Sequence, residues 1–316
     1  MQTRQAAWPS FAGLDLKPTT DTLHLWSQVV GKIRLMTTPW ENHSWHVPLY
    51  LGASGFGTGL MLVGSRAISL QFDLLEQRLR LHTSEGANDA IPLQAESVAS
   101  FYRETMAMLD RAGIELELRP LPCEIADSVA FHEDHAPRAY DAELAQRYWR
   151  AMLQVQRVFQ RFRTRFIGKC SPIHLFWGSF DLAVTRFSGR PAPLHPGGAP
   201  HTPNSVMQEA YQQEVSSAGF WPGGGGAPTP CFYSYAWPAP AGFAEAPLAR
   251  PGYFDSTLGE FLLPYEAVAA SPDPDQVLLD FLQQSYEAAA TLAHWDRAVL
   301  ERAEGPIGTP PPGPWQ

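Results

Sequence analysis

Residues 174–190, HLFWGSFDLAVTRFSGR, hold the densest set of side chains able to do chemistry. Read as an extended strand, they alternate. Trp177, Ser179, Asp181, Ala183, Thr185 and Phe187 share one face, and Phe176, Phe180, Leu182 and Val184 share the other. Both faces are largely apolar, so the strand is expected to be covered on both sides. Asp181 is then a carboxylate in a core strand. An unpaired buried charge costs on the order of several kcal/mol, so Asp181 must find a partner or keep its proton. One reading makes it a structural ion pair or hydrogen-bond acceptor. The other makes it a general base, or an orienting acid with a raised pKa.

A second carboxylate invites the same question. Residues 203–219, PNSVMQEAYQQEVSSAG, read as a helix capped by Ser205 and ended by Gly219. Glu214 falls inside its apolar stripe of Met207, Tyr211, Val215 and Ala218, so it is expected to be buried. By type, His174, Arg186 and Arg190 are the partners available to the two acids. Phe220, Trp221 and Pro222 then fix the chain before four glycines, residues 223–226. Gly223 and Gly224 would let the backbone approach a ligand closely. A phosphate-cradling loop opens onto a helix, whereas APTP and a strand follow here, so that motif is not matched. The competing reading of the glycines is a mobile surface connection.

His43 and His46 in HSWH have metal-like spacing, but in a strand they point to opposite faces and cannot share an ion; they could only if the segment is a turn. His46 remains a ligand-contact candidate. HEDH, residues 132–135, lacks the helical spacing of a zinc protease and reads as a solvated linker. No metal site is assigned, and no cofactor is indicated. Nucleophile elbows, dinucleotide-binding glycines and kinase signatures are missing.

The elements that must position these groups follow from periodicity. Residues 19–35 form an amphipathic helix through Leu23, Trp26, Val30 and Ile33. Residues 43–52 read as a strand, followed by three short alternating segments of an antiparallel meander. A helix over residues 96–113 and a strand at 114–122 complete a first half. Acidic residues 124–141 lead to a long helix over 141–166, with Arg147, Arg150, Arg157, Arg161 and Arg165 beside its apolar face. Strands at 174–187, 231–237 and 260–265 follow, then a helix from Asp273 to about Arg302 opened by DPDQ. The expected fold is α+β: two pseudo-repeated α-β-β-β-β-α halves, residues 14–123 and 141–303, with antiparallel sheets packed together. Residues 124–140 link them, and 304–316 form a proline-rich tail.

Composition bounds the function. The chain has 316 residues, 45% of them hydrophobic, and a net charge of −9, which argues against a general nucleic-acid binder. Three scattered cysteines fit reduced thiols. No apolar run reaches the ~20 residues that span a bilayer, and no signal peptide is evident. A cytoplasmic protein without a membrane partner is expected.

The segments WPSFAG, DTLHLWSQVVGKIRL, PWENHSWHVPLYL, FIGKCSPIHLFWGSFDLAVTRFSGR, EVSSAGFWPGGGG and GEFLLPYEAV together resemble a bacterial family catalogued as domain of unknown function 5996. The resemblance covers nearly the whole chain from Trp8. It implies no activity, cofactor or catalytic residue. The expectation from the residues themselves is a small-molecule pocket between the halves, for an anionic ligand in one version and with enzymatic use open. Asp181 and Glu214 would be acid or base. His46, His174, Trp177, Arg186, Arg190, Trp221, Gly223 and Gly224 would contact the ligand. The alternative is a non-catalytic interaction module that uses the arginine-lined helix.

Overall fold

A computed structural model describes residues 8–224 and 226–309. The first half opens with helix α1 (Lys17–Thr37) and closes with α2 (Val98–Arg111). Between them lie strands β1 (Tyr50–Gly52), β2 (Gly55–Gly57), β3 (Met61–Val63), β4 (Arg66–Asp73), β5 (Arg78–Thr83) and β6 (Asn88–Pro92). The second half opens with α3 (Ala142–Thr164), then β7 (His174–Phe176) and β8 (Asp181–Pro191). Short helix α4 (Asn204–Ala210) precedes β9 (Gln213–Trp221), β10 (Cys231–Trp237), β11 (Tyr253–Asp255) and β12 (Glu260–Pro264). Helices α5 (Tyr265–Ala269), α6 (Pro274–Leu292) and α7 (Arg297–Leu300) end the described fold.

The fold is therefore α+β, with two antiparallel sheets of six strands each. Each half starts with a long helix and ends with helical segments. The first sheet runs β1-β2-β4-β5-β6, with β3 also on β4; the second runs β11-β12-β10-β9-β8-β7. They meet where Leu49 and Leu175 exchange two backbone hydrogen bonds of 2.9 Å. One continuous hydrophobic cluster passes through both halves, from Leu23 and Trp26 of α1 to Val155 and Phe159 of α3 and Leu278 and Leu282 of α6.

Caps explain the helix starts. The Asp141 side chain accepts from the N–H groups of Glu143 and Leu144, Ser97 from Ser100, and Asp273 from Gln276. The C-terminal part of the arginine edge of α3 is engaged within the chain. Arg157 pairs with Asp275, and Arg161 and Arg165 both reach Glu304. Glu304 belongs to the expected tail; residues 310–316 lie outside the described part.

Five expected elements differ, the first being the last helix, expected to reach about Arg302 but ending at Leu292, with the short α7 set apart from it. Residues 43–47 are turn and not strand: Asn42–Ser44 is a 3₁₀ turn, with His43 at φ 58° and Ser44 at φ 57°. Those left-handed backbones break a strand. Residues 174–187 are a hairpin, because a turn at 177–180 with Phe180 at φ 59° separates β7 from β8. Residues 114–122, interrupted by Pro120 and Pro122, form no strand. The expected helix over 203–219 stops at Ala210, and its second part is β9, between β8 and β10. Pairing on both edges and burial on both faces override the weak local preference of Ser216, Ser217 and Ala218.

Candidate functional site

Alternation along the second sheet builds one wall of a cavity of about 440 Å³. Asp181, Ala183, Thr185 and Phe187 of β8 point into it, with Val215, Ser217 and Trp221 of β9 and Tyr233 and Tyr235 of β10. The opposite wall combines Trp40, His43 and Trp45 from the turn after α1 with Val206, Met207 and Ala210 of α4. Trp177 and Glu124 close one side, and Glu260 of β12 another. Contributions from both halves place the cavity at their junction.

Three glycines shape this wall. A Cβ on Gly31 would lie 2.3 Å from the Trp177 indole, so the bare backbone of α1 seats that ring. Trp177 Nε1 then donates to the Val47 carbonyl at 2.9 Å. A Cβ on Gly178 would lie 2.2 Å from Glu124 Oε1, so the β7–β8 turn makes room for a carboxylate. On Gly219 it would meet the Tyr233 ring at 2.4 Å. Tyr233 can therefore lie flat across β9 and donate its hydroxyl hydrogen to Asp181 Oδ2. Glycine inside a strand commonly marks such a close approach.

Asp181 is buried and, among the described residues, has no ion-pair partner; it accepts from Tyr233 and, at 2.6 Å, from Ser179 Oγ. Burial raises its pKa, against the pull of those two donors. Burial first, and then the Asp181 charge, pushes Glu124 up to about 7. Glu124 exposes more than a third of its surface, on the side that faces the solvent-open cavity. Its backbone sits at φ 62°, held by a 2.7 Å bond from its N–H to the Pro200 carbonyl. Glu260 is likewise pushed up to about 7 by burial, then by Asp181 and Asp255. Tyr211 and Tyr235 share a 2.7 Å hydroxyl contact, and burial lifts Tyr211 to about 12. The three carboxyls are spread along the wall; among the described residues no three His, Cys, Asp or Glu groups converge to hold a metal. Two groups that exchange protons near pH 7 are chemically able to act as acid or base.

Of the residues singled out from the sequence, Asp181, Trp177 and Trp221 meet at this cavity. Trp221 is pinned by a 3.1 Å bond from Nε1 to the Ser179 carbonyl. Glu214 does not join them. As a strand residue it points away from the wall formed by Val215 and Ser217, and it pairs with Arg190 at 2.7 Å. Arg190 also donates to the carbonyls of Ala293 and His294, so the pair clasps the sheet to the end of α6. Arg186 lies on the face opposite Asp181, fully buried, with its guanidinium 3.5 Å from the Phe162 ring centroid and 4.3 Å from that of Tyr286. It donates to the Phe162 carbonyl, and burial pulls its pKa down to about 10.

His174 faces the cavity side but sits behind Trp45 and Phe176, fully buried, and burial drives its pKa down to about 3. His46 is buried against Trp40 and accepts from the Glu41 N–H at 3.2 Å; it is not on the wall. Gly223 and Gly224 belong to the β9–β10 hairpin loop, where Gly224 and Ala227 exchange bonds of 2.7 and 2.8 Å. They do not line the cavity, and Gly225 is outside the described residues. Sequence reasoning did not single out Glu124, Glu260 or Tyr233. Isolated Gly178 and Gly219, beside alternating strands, were the available signal.

With that geometry established, comparison places the chain. Residues 8–302 match a family described as a family of unknown function, DUF5996. The chain belongs to this family. No curated protein and no solved structure matches it. Among the described residues, no helix is long and apolar enough to cross a membrane.

Proposed function

We propose that this protein binds a small organic molecule through an ammonium group, with the apolar part of that molecule against aromatic rings. One observation carries the reading: three carboxyls line a cavity of about 440 Å³ whose wall includes no lysine or arginine. A cation would relieve the mutual repulsion that helps hold Glu124 and Glu260 near 7. Trp177, Trp221 and Phe176 supply flat apolar surface, and cations are attracted to such ring faces. The arginines that favoured an anionic ligand, Arg186 and Arg190, are engaged elsewhere. Of the five α3 arginines that favoured a protein partner, Arg157, Arg161 and Arg165 are paired with Asp275 and Glu304.

Calorimetric titration with hexylamine and with hexanoate tests the reading. The amine should bind and the acid should not, and Asp181→Asn should weaken the amine by at least tenfold. Binding of hexanoate alone would reverse the assigned polarity. Because the amine requires ionised carboxyls, its affinity should fall as pH drops from 8 to 6, through the pKa of about 7 of Glu124 and Glu260.

A further inference from the structure

The three carboxyls of the cavity do not share one point. Strand register separates two of them. Asp181 stands one position before the Leu182–Phe220 pair, level with Trp221 of β9 and so with Cys231 of β10. Glu260 of β12 stands one position past the Ser234–Phe261 pair, level with Tyr235 of β10, Ser217 of β9 and Thr185 of β8. The two acids are thus three strands and four residues out of step. Their backbones lie about 14 Å apart across the sheet and about 13 Å along it. Their side chains lean inward over the cavity, so that the Asp181 charge still reaches Glu260. Glu124 belongs to the Asp181 end. It packs against the bare backbone of Gly178 in the β7–β8 turn, and it feels the Asp181 charge.

An aromatic strip joins the two ends. Tyr233 donates to Asp181, and its ring lies nearly parallel to that of Tyr235, with centroids 6.0 Å apart and planes 18° apart. Tyr235 in turn stands beside Glu260 and shares its hydroxyl contact with Tyr211. The Tyr211 hydroxyl feels the charges of Glu124, Glu260 and Asp181, so it lies between the ends. All of these side chains face the cavity. Among the described residues, no lysine or arginine pairs with any of the three acids, and neither Glu124 nor Glu260 accepts a hydrogen bond from the chain. Each end therefore holds a carboxyl whose oxygens are open to a cationic donor from the cavity.

We propose that the ligand is a linear diamine or longer polyamine, with one ammonium between Asp181 and Glu124, the second at Glu260, and the methylenes laid across the Tyr233 and Tyr235 rings. This rests on the ammonium reading above and adds the second positive charge and the direction of the chain, which crosses the strands of the second sheet. A single ammonium satisfies one end and leaves the other acid without a counter-charge. Two ammoniums on one chain satisfy both, and binding of the first makes binding of the second intramolecular. The rings between them suit methylenes along their faces and cations at their edges of contact with the acids.

The test is calorimetric titration at pH 8 with α,ω-diamines of four to ten carbons and with n-alkylamines of the same lengths. Two identical ends give a diamine only a twofold statistical advantage. The wild-type protein should favour the diamine at least tenfold, with an optimum at one length. Glu260→Gln should remove that advantage and leave n-alkylamine affinity within twofold of wild type. Glu214→Gln deletes the same charge on the opposite face of the same sheet, and should keep the advantage. That contrast separates a second docking point from general attraction to a chain of net charge −9. Glu260→Asp, with its shorter reach, should keep the advantage but move the optimum to a longer diamine, and it serves as the probe if circular dichroism shows the glutamine variant unfolded. Equal affinity of diamine and monoamine on wild type, an advantage that survives Glu260→Gln, or one lost equally in Glu214→Gln would overturn the two-ended ligand. If n-alkylamines still bound, and Asp181→Asn weakened them, the ammonium reading would survive. Failure of every amine would overturn both.

Discussion

Glycines act at the residue scale here by what they leave out. Gly31→Ala should help an ordinary helix by about 1 kcal/mol. In α1 the added methyl would run into the root of the Trp177 indole at 2.3 Å, an atom that cannot swing aside. Overpacking of that kind costs about 1–3 kcal/mol, so the net effect should be a lower melting temperature by calorimetry. Gly219→Ala should displace the Tyr233 ring and loosen its bond to Asp181, weakening amine binding even in protein that stays folded. The raised carboxyls make a separate prediction. Glu124 and Glu260 have folded pKa values of about 7 against an ordinary 4.5, so between those values the folded state holds more protons than the unfolded one. Stability contributed by these groups is therefore lost as pH rises from about 4.5 to 7. Glu124→Gln with Glu260→Gln should flatten that decline in denaturant titrations, and should raise stability relative to wild type at pH 8 but not at pH 4.

Elements divide the labour between the two faces of the second sheet. The cavity face of β8 carries Asp181 and Thr185, and the core face carries Arg186 against α3. Glu214 belongs to the clasp between β9, β8 and the end of α6, not to the cavity. Glu214→Gln should therefore leave amine affinity unchanged. It should lower stability by about 1 kcal/mol or less, as for a half-exposed pair, measured by urea denaturation. This is where the sequence was least legible. The alternation of β8 placed Asp181, Ala183, Thr185 and Phe187 correctly on one face, because period-two burial leaves a direct trace. Residues 211–219 leave none. Gly219 is bare because the Tyr233 ring lies across it, a long-range cause that the spacing of a helix end imitates. Left-handed His43 and Ser44 likewise turned an apparent strand into the turn that closes the cavity.

At the scale of the whole molecule, long helices and alternating strands made the α+β class legible, while the junction was not. Two sheets joined through Leu49 and Leu175, over one shared hydrophobic cluster, make each half a poor candidate to fold alone. Tryptophan fluorescence and far-ultraviolet dichroism should lose signal in one coincident urea transition, and two separated transitions would show that the halves are independent. The cavity depends on that union, since Trp40, His43 and Trp45 come from one half and Asp181, Tyr233 and Glu260 from the other. The most direct test of the central claim is a crystal structure with hexylamine bound. The account predicts the amine nitrogen within hydrogen-bonding reach of Asp181 or Glu124, with the alkyl chain against Trp177 or Trp221. An amine found elsewhere, or an anion occupying the acidic end in its place, would contradict it.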